Sequence, residues 1–277
     1  MSKTPKDLHV LDGAIEPDRQ QLEAGGGFLI AYTSRSPDKE SENEDTVAII
    51  PWGPQAVVLV VADGAGGLPG GKRASLTAVT TLAKSLQLAV EKTMLLRTAV
   101  LNGIEAANAA VRDIGNGSAT TLTVVTVEGR IARYYQIGDS EALVTGQRGL
   151  IKLQTTAHSP TGFAVEAGFL DQREALHHAE RHLVSNFIGA ADMTIDVGAA
   201  IELSPRDTVI LATDGLTDNV HIDEIVELTR KGPLDKAADV VIAKAVERMS
   251  HFRDGQPSKP DDLSLIVFRK PSISNAT

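Results

Sequence analysis

Seven consecutive residues, Ala56 to Ala62, carry no polar side chain and stop at Asp63. A strand with one wet face alternates apolar and polar residues, whereas an unbroken apolar run needs cover on both faces. This segment therefore predicts a central strand, and the chain must fold in layers around it. Thr46 to Ile50 is a second β-rich run, set off from the first by the turn signal Pro51-Trp52-Gly53-Pro54.

The period then lengthens. Val79, Ala83, Leu86 and Val90 recur every three to four residues, as do Leu96, Val100, Ile104, Ala107, Val111 and Ile114. Both sets predict amphipathic helices with one buried stripe, the second ending at Gly115-Asn116-Gly117. Period two returns in Thr120 to Val127 and Ile131 to Ile137, which predict a hairpin around Glu128-Gly129-Arg130. Glu141 to Thr145 and Leu150 to Leu153 predict a second hairpin. Residues 155–200 are less regular, with a short helix expected near 171–179. Further on, Thr208 to Thr213 predicts a buried strand, 222–230 and 235–250 predict helices, and Leu263 to Arg269 predicts a last strand. Phe28 to Thr33 predicts a first strand, and residues 1–25, ending in Gly25-Gly26-Gly27, read as a polar, partly disordered segment. Hairpins are many and helical crossovers few, which favours an α+β chain with antiparallel sheets. Two stacked sheets with a helix pair on each outer face is an economical packing.

Composition narrows the function classes. The 277 residues have a formal net charge of −9, which disfavours a general binder of nucleic acid or anionic membrane. One Trp, three Tyr and six Phe are too few for a base-stacking surface. The absence of Cys excludes disulfides, iron–sulfur and Cys-zinc sites, and a thiol nucleophile. The opening MSKTPKDLHV has no apolar stretch of a signal peptide, and Ala56 to Ala62 is too short to span a bilayer. A cytoplasmic location is expected.

The chemical signal is a set of carboxylates at strand ends. Asp63 and Asp214 follow apolar runs, Glu44-Asp45 and Asp261-Asp262 immediately precede strands, and Asp139 lies just past the Ile131 strand. An isolated Asp at such a place is commonly a turn or cap residue. If the strands share one edge, however, these carboxylates converge, and a converging set needs a counter-charge. Hard divalent cations with oxygen ligands supply it.

The segments Asn43-Glu44-Asp45, Val61-Ala62-Asp63-Gly64-Ala65-Gly66-Gly67, Ile137-Gly138-Asp139-Ser140, Ala212-Thr213-Asp214-Gly215-Leu216-Thr217-Asp218 and Asp261-Asp262-Leu263-Ser264 occur in this order. Together they closely resemble the metal-dependent, type-2C serine/threonine protein phosphatases, above all the bacterial branch. The resemblance runs from about residue 26 to 269. It implies one catalytic domain over 26–270, with a variable flap at about 155–200 and a tail at 271–277. The implied fold is a four-layer α-β-β-α sandwich, in agreement with the element order. The implied reaction is hydrolysis of phosphoserine and phosphothreonine esters by a water bridging two Mg²⁺ or Mn²⁺ ions. By motif, Asp63 would bridge both ions, the Gly64 carbonyl would bind the first, and Asp214 and Asp261 the second. Glu44 and Asp45 would act around the ions, partly through water. Asp139 and Asp218 match positions of a third, looser ion. Asp63, Asp214 and Asp45 are the expected catalytic set. A phosphoprotein substrate and an opposing Ser/Thr kinase are the implied partners.

Three positions depart from the family pattern. Ala65 stands where many members carry a His that could protonate the leaving group. Glu40 stands where the phosphate-binding Arg is usual, which leaves Arg35 and Lys39 as alternative phosphate cations, each of which also reads as solvated loop charge. The closing motif is Asp261-Asp262 in place of Asp-Asn, with Asp261 the ligand by register and Asp262 the substitute. The Arg and His departures keep open a non-catalytic module that binds phosphoprotein on the same fold.

Other constellations fit less well. Gly66 to Arg73 approaches a P-loop, but Arg73 replaces the Ser or Thr that would bind Mg²⁺. Gly138-Asp139-Ser140-Glu141-Ala142 approaches a nucleophile elbow but continues into a strand where an elbow needs a helix. His178 and His182 have the spacing of zinc ligands on one helix face but lack the HExxH pattern.

Overall fold

The computed structural model describes residues 8–37, 39–65 and 70–271. In chain order the strands are β1 (His9–Leu11), β2 (Asp18–Ala24), β3 (Gly27–Ser34), β4 (Thr46–Gly53) and β5 (Ala56–Ala62). Helices α1 (Gly71–Glu91) and α2 (Leu96–Arg112) follow. Then come β6 (Leu122–Glu128), β7 (Ile131–Ile137), β8 (Glu141–Thr145) and β9 (Ile151–Gln154). The less regular region holds α3 (Pro160–Glu166), α4 (Gln172–Ala175), β10 (Asp196–Val197) and β11 (Ile201–Glu202). The last third is β12 (Thr208–Ala212), α5 (Asp214–Thr217), α6 (Ile222–Thr229), α7 (Leu234–Ser250) and β13 (Leu263–Arg269).

The strands form two sheets, and every pairing is antiparallel. One runs β1-β4-β5-β6-β7-β10, with β11 also on β7, and the other runs β2-β3-β13-β12-β8-β9. The inner faces meet in a core that includes Val47, Leu59, Val125, Val209, Leu211 and Phe268. The outer face of the first sheet packs under α1 and α2 through Val58, Val60, Leu82, Leu86 and Ile104. The outer face of the second packs under α6 and α7 through Ile210, Leu265, Ile225 and Val241. This is the α-β-β-α sandwich. Every residue of β5 is buried, as its unbroken apolar run requires.

Four expectations are corrected. Residues 9–24 are not a frayed segment: β1 joins one sheet and β2 the other, so a domain boundary at residue 26 would cut between paired strands β2 and β3. Residues 1–7 and 272–277 lie outside the described residues, as does the 66–69 part of the P-loop-like stretch. Strand β4 runs on through Pro51 and Trp52 with an irregularity before Gly53. Its pairing with β1 ends at Ile49, so Pro51 lies where that side of the ladder needs no N–H. In the 155–200 region, α4 is shorter than expected and α3 was not foreseen, although Ser159 caps it and Pro160 sits in its first turn. His178 and His182 lie past the end of α4 and share no helix face.

Candidate active site

Register brings the strand ends together. Thr46 pairs with Ala62, so Asp45 and Asp63 stand side by side at one end of β4 and β5. Ala212 pairs with Leu265, so Asp214 lies beside the start of β13, where Asp261 and Asp262 precede Leu263. The sheets are stitched at this edge: the Thr213 hydroxyl donates to Asp45 Oδ2 at 3.0 Å and accepts from the Ser264 amide at 3.1 Å. Asp139 arrives from the turn between β7 and β8.

The glycines of the motifs make these approaches feasible. A Cβ on Gly64 would collide with the Gly71 backbone and lie 2.7 Å from the Glu44 carbonyl oxygen. A Cβ on Gly215 would collide with the Asp262 carbonyl oxygen. Gly138, at φ +103°, takes a left-handed turn that L side chains rarely adopt. Asn43 is a clamp: its side chain accepts from the Asp45 amide at 2.9 Å and donates to Thr33 Oγ1 and the Asp12 carbonyl.

The carboxylates feel one another strongly. Burial, then Asp45, Asp214, Asp261 and Asp139, push the Asp63 carboxyl well above the ordinary Asp range. Burial and then Asp262 raise Asp45, while burial and then Asp214 raise Asp139 and Asp218. Asp261 is pushed up to about 6, by burial first and Asp214 second. Asp45 Oδ1 and Asp214 Oδ1 are buried with no hydrogen-bond partner. Orphaned anionic oxygens of this kind are costly unless a cation meets them, and an all-oxygen donor set suits Mg²⁺ or Mn²⁺. Among the described residues no three acidic or His side chains form a ready-made metal cage.

Two lysines stand among the carboxylates instead. Lys259 Nζ contacts Asp214 Oδ2, Asp218 Oδ2 at 2.8 Å and Asp261 Oδ2 at 3.2 Å. Burial alone would lower its pKa, but these three anions outweigh burial and hold it raised. Lys39 Nζ pairs with Glu44 Oε2 at 2.8 Å and Asp262 Oδ2 at 2.7 Å. Asp262 also accepts from the Ser36 amide at 2.8 Å and the Glu44 amide at 2.7 Å. It thereby latches the 36–44 loop to β13, which leaves Asp261 the freer carboxylate of the pair.

A cleft of about 670 Å³ opens beside the cluster, with Asp139, Asp214 and Asp218 in one wall. Its other walls come from α3, α4 with Arg173, the start of α6 with His221, the first residue of β8, Glu141, and the loop residue Arg181. Neither Arg35 nor Lys39 lines it. Arg35 donates to the Glu40 carbonyl, and Lys39 is held in its two ion pairs. Arg173 pairs with Asp223 at 3.0 Å. Arg181 is half-buried, donates to the Leu176 carbonyl, and pulls the Asp218 pKa down against the effect of burial. Sequence reading missed Lys259 and Arg181 because both sit in irregular loops with no motif spacing. The single signal for Lys259 was its position two residues before Asp261.

The P-loop alternative loses its key side chain. Lys72 Nζ donates to the Asp12 carbonyl at 2.9 Å and lies 3.7 Å from the Asp12 carboxylate. Glu141 continues into β8, which removes the nucleophile elbow.

At this edge two antiparallel sheets bring acidic strand ends together beside an open cleft, an all-oxygen donor set of the kind a divalent cation would take. The family model for protein phosphatase 2C matches residues 36–246. This chain belongs to that family. It is 29% identical over 197 residues to a protein phosphatase 2C-type protein of Streptococcus pyogenes, covering 69% of this chain and 79% of that one. It is 28% identical over 222 residues to protein phosphatase PhpP of Streptococcus pneumoniae, covering 77% and 86%. The Mycobacterium tuberculosis serine/threonine phosphatase PstP/Ppp shares the fold with a TM-score of 0.71 at 24% identity, covering 88% of this chain and 98% of that one. The catalytic domain of PstP, solved in complex with two manganese ions, aligns with a TM-score of 0.68 at 22% identity, covering 87% and 96%.

Proposed function

We propose that the chain is a divalent-metal-dependent phosphatase acting on phosphoserine and phosphothreonine in proteins. The observation that carries this reading is the edge at which Asp45 and Asp63 from one sheet meet Asp214 and Asp261 from the other, with two of their oxygens buried and unpartnered. Asp63, the Gly64 carbonyl, Asp214 and Asp261 would hold the divalent ions. Glu44 and Asp45 would act around the ions, partly through water. Asp139 and Asp218 are candidates for a third ion. Bound Mg²⁺ or Mn²⁺ would supply a water of lowered pKa and positive charge to offset the phosphoryl oxygens.

The chain's own residues prepare the rest. Thr213 fixes Asp45 through its hydroxyl. Thr121 fixes Asp63 by accepting its amide at 3.0 Å. Asp262 holds the loop that carries Glu44. The cleft presents Arg181 to the substrate side, a role that Arg35 and Lys39 are not placed to fill. An opposing Ser/Thr kinase and a phosphoprotein substrate complete the proposal. A non-catalytic, phosphoprotein-binding role is the second reading, favoured by Ala65 and Glu40.

The test is hydrolysis of p-nitrophenyl phosphate and a phosphothreonine peptide with Mn²⁺, with Mg²⁺ and with EDTA, alongside Asp63→Asn. Turnover should need metal and fall by at least about a hundredfold in the variant, which should keep its far-UV spectrum. Variant turnover near wild type would sink the site assignment. Metal-independent inactivity of folded wild-type protein would select the binding role.

A further inference from the structure

We infer that Lys259 is a built-in counter-cation that holds Asp214, Asp218 and Asp261 together without metal and competes with a divalent ion for them. The inference rests on the metal-site reading above. One ammonium contacts all three carboxylates, at 2.8 Å and 3.2 Å for Asp218 and Asp261 and closest to Asp214. The side chain is 20% exposed, so water does little of the screening. Three carboxylates so close would repel one another strongly without it.

Its aim is constructed. Asn219, fully buried, donates from its side chain to the Lys259 carbonyl at 2.8 Å and accepts from the Lys259 amide at 2.7 Å. Arg248 in turn donates to the Asn219 carbonyl at 2.9 Å and pairs with Glu224 at 2.7 Å. The backbone of Lys259 is thus pinned through Asn219 and Arg248 to the end of α5 and to α6 and α7, and the contacts that hold its side chain are those of the ammonium with the three carboxylates. A lysine is suited to this exchange, being a compact point charge on a flexible arm. Asp45 has no contact with it and is bonded to Thr213. The consequence is two classes of ion site. One lies around Asp45 and Asp63, which form no ion pair with Lys259. The other lies around Asp214, Asp218 and Asp261, and its filling requires the ammonium to leave.

The experiment is titration calorimetry with Mn²⁺ on wild type, Lys259→Met, Lys259→Gln and Asp63→Asn, with thermal melts of each in EDTA. Removing the charge should tighten the weakest Mn²⁺ event by on the order of tenfold or more, the scale of one close charge pair. The same variants should melt lower than wild type in EDTA and recover with Mn²⁺. A variant that folds only with Mn²⁺ would support the inference as well. Unchanged Mn²⁺ affinity and an unchanged melt in EDTA for both charge-removing variants would overturn it. If wild type binds no Mn²⁺ and matches Asp63→Asn, the metal-site reading itself falls and takes the inference with it. Binding to wild type with no effect at Lys259 separates the two failures.

Discussion

At the residue scale, the site is a matter of which charges are committed and which are available. Asp262 has three partners, and Lys39 has two anions, so this pair works as a latch for the loop bearing Glu44. Asp261, by contrast, accepts from the Asp262 amide at 2.9 Å and keeps its other oxygen toward the cluster, which supports Asp261 as the proposed ligand. Arg181 lines the cleft, and among the described residues no carboxylate lies within ion-pairing distance of it, so on the proposed reading it is the cation available to a substrate phosphate. Arg181→Ala should therefore raise KM for a phosphopeptide by about tenfold while changing kcat little, the signature of lost ground-state binding. Steady-state kinetics on a phosphothreonine peptide checks it, and an equal fall in kcat with unchanged KM would contradict it.

At the scale of elements, α6 and α7 are joined by charge as well as by their apolar faces. Glu224 accepts from Arg248 and lies 3.1 Å from Lys244. Burial opposes its ionisation, but these cations outweigh it and hold the carboxyl down at about 2. A depressed acid stabilises the fold above its unfolded pKa, and that contribution is lost as pH falls through about 2. Glu224→Gln should therefore lower the melting temperature by several degrees at pH 7, with the gap to wild type closing as pH drops from about 4.5 toward 2. A gap that is constant with pH would assign the effect to packing. Helix periodicity made α6 and α7 visible in sequence, and the stripes Ile225, Val226 and Val241, Ala245 are buried as that periodicity requires. The Glu224–Arg248 bond was invisible because its partners are 24 residues apart and share no local pattern.

At the scale of the whole molecule, one edge of the sandwich concentrates acids that would rather be neutral. Burial pushes Glu141 up to about 7, and Asp261 is held at about 6. In the interval between the unfolded and folded pKa values, the unfolded chain has released a proton that the folded chain retains, so stability falls as pH rises. In EDTA the melting temperature should therefore decline from about pH 5 to pH 8, and Glu141→Gln should flatten part of that slope by roughly 1–3 kcal/mol at pH 8. Mn²⁺ should raise the melting temperature most at the alkaline end. A metal-free profile that rises over this range would refute the account. The same edge separates what local sequence specifies from what it leaves open. The unbroken run Ala56 to Ala62, the two helical stripes, the hairpins and the Asp at each strand end were set by the chain itself, because burial on two faces, a 3.6-residue period and the turn residues are local properties. Strand β1 and strand β2 were decided by tertiary structure, since three- and seven-residue segments with mixed polarity become strands only where an open ladder accepts them. So was the cation set. Lys39, Arg181 and Lys259 have side chains whose reach exceeds any local spacing, and what each one meets depends on which distant loops the stacked sheets bring to the same edge.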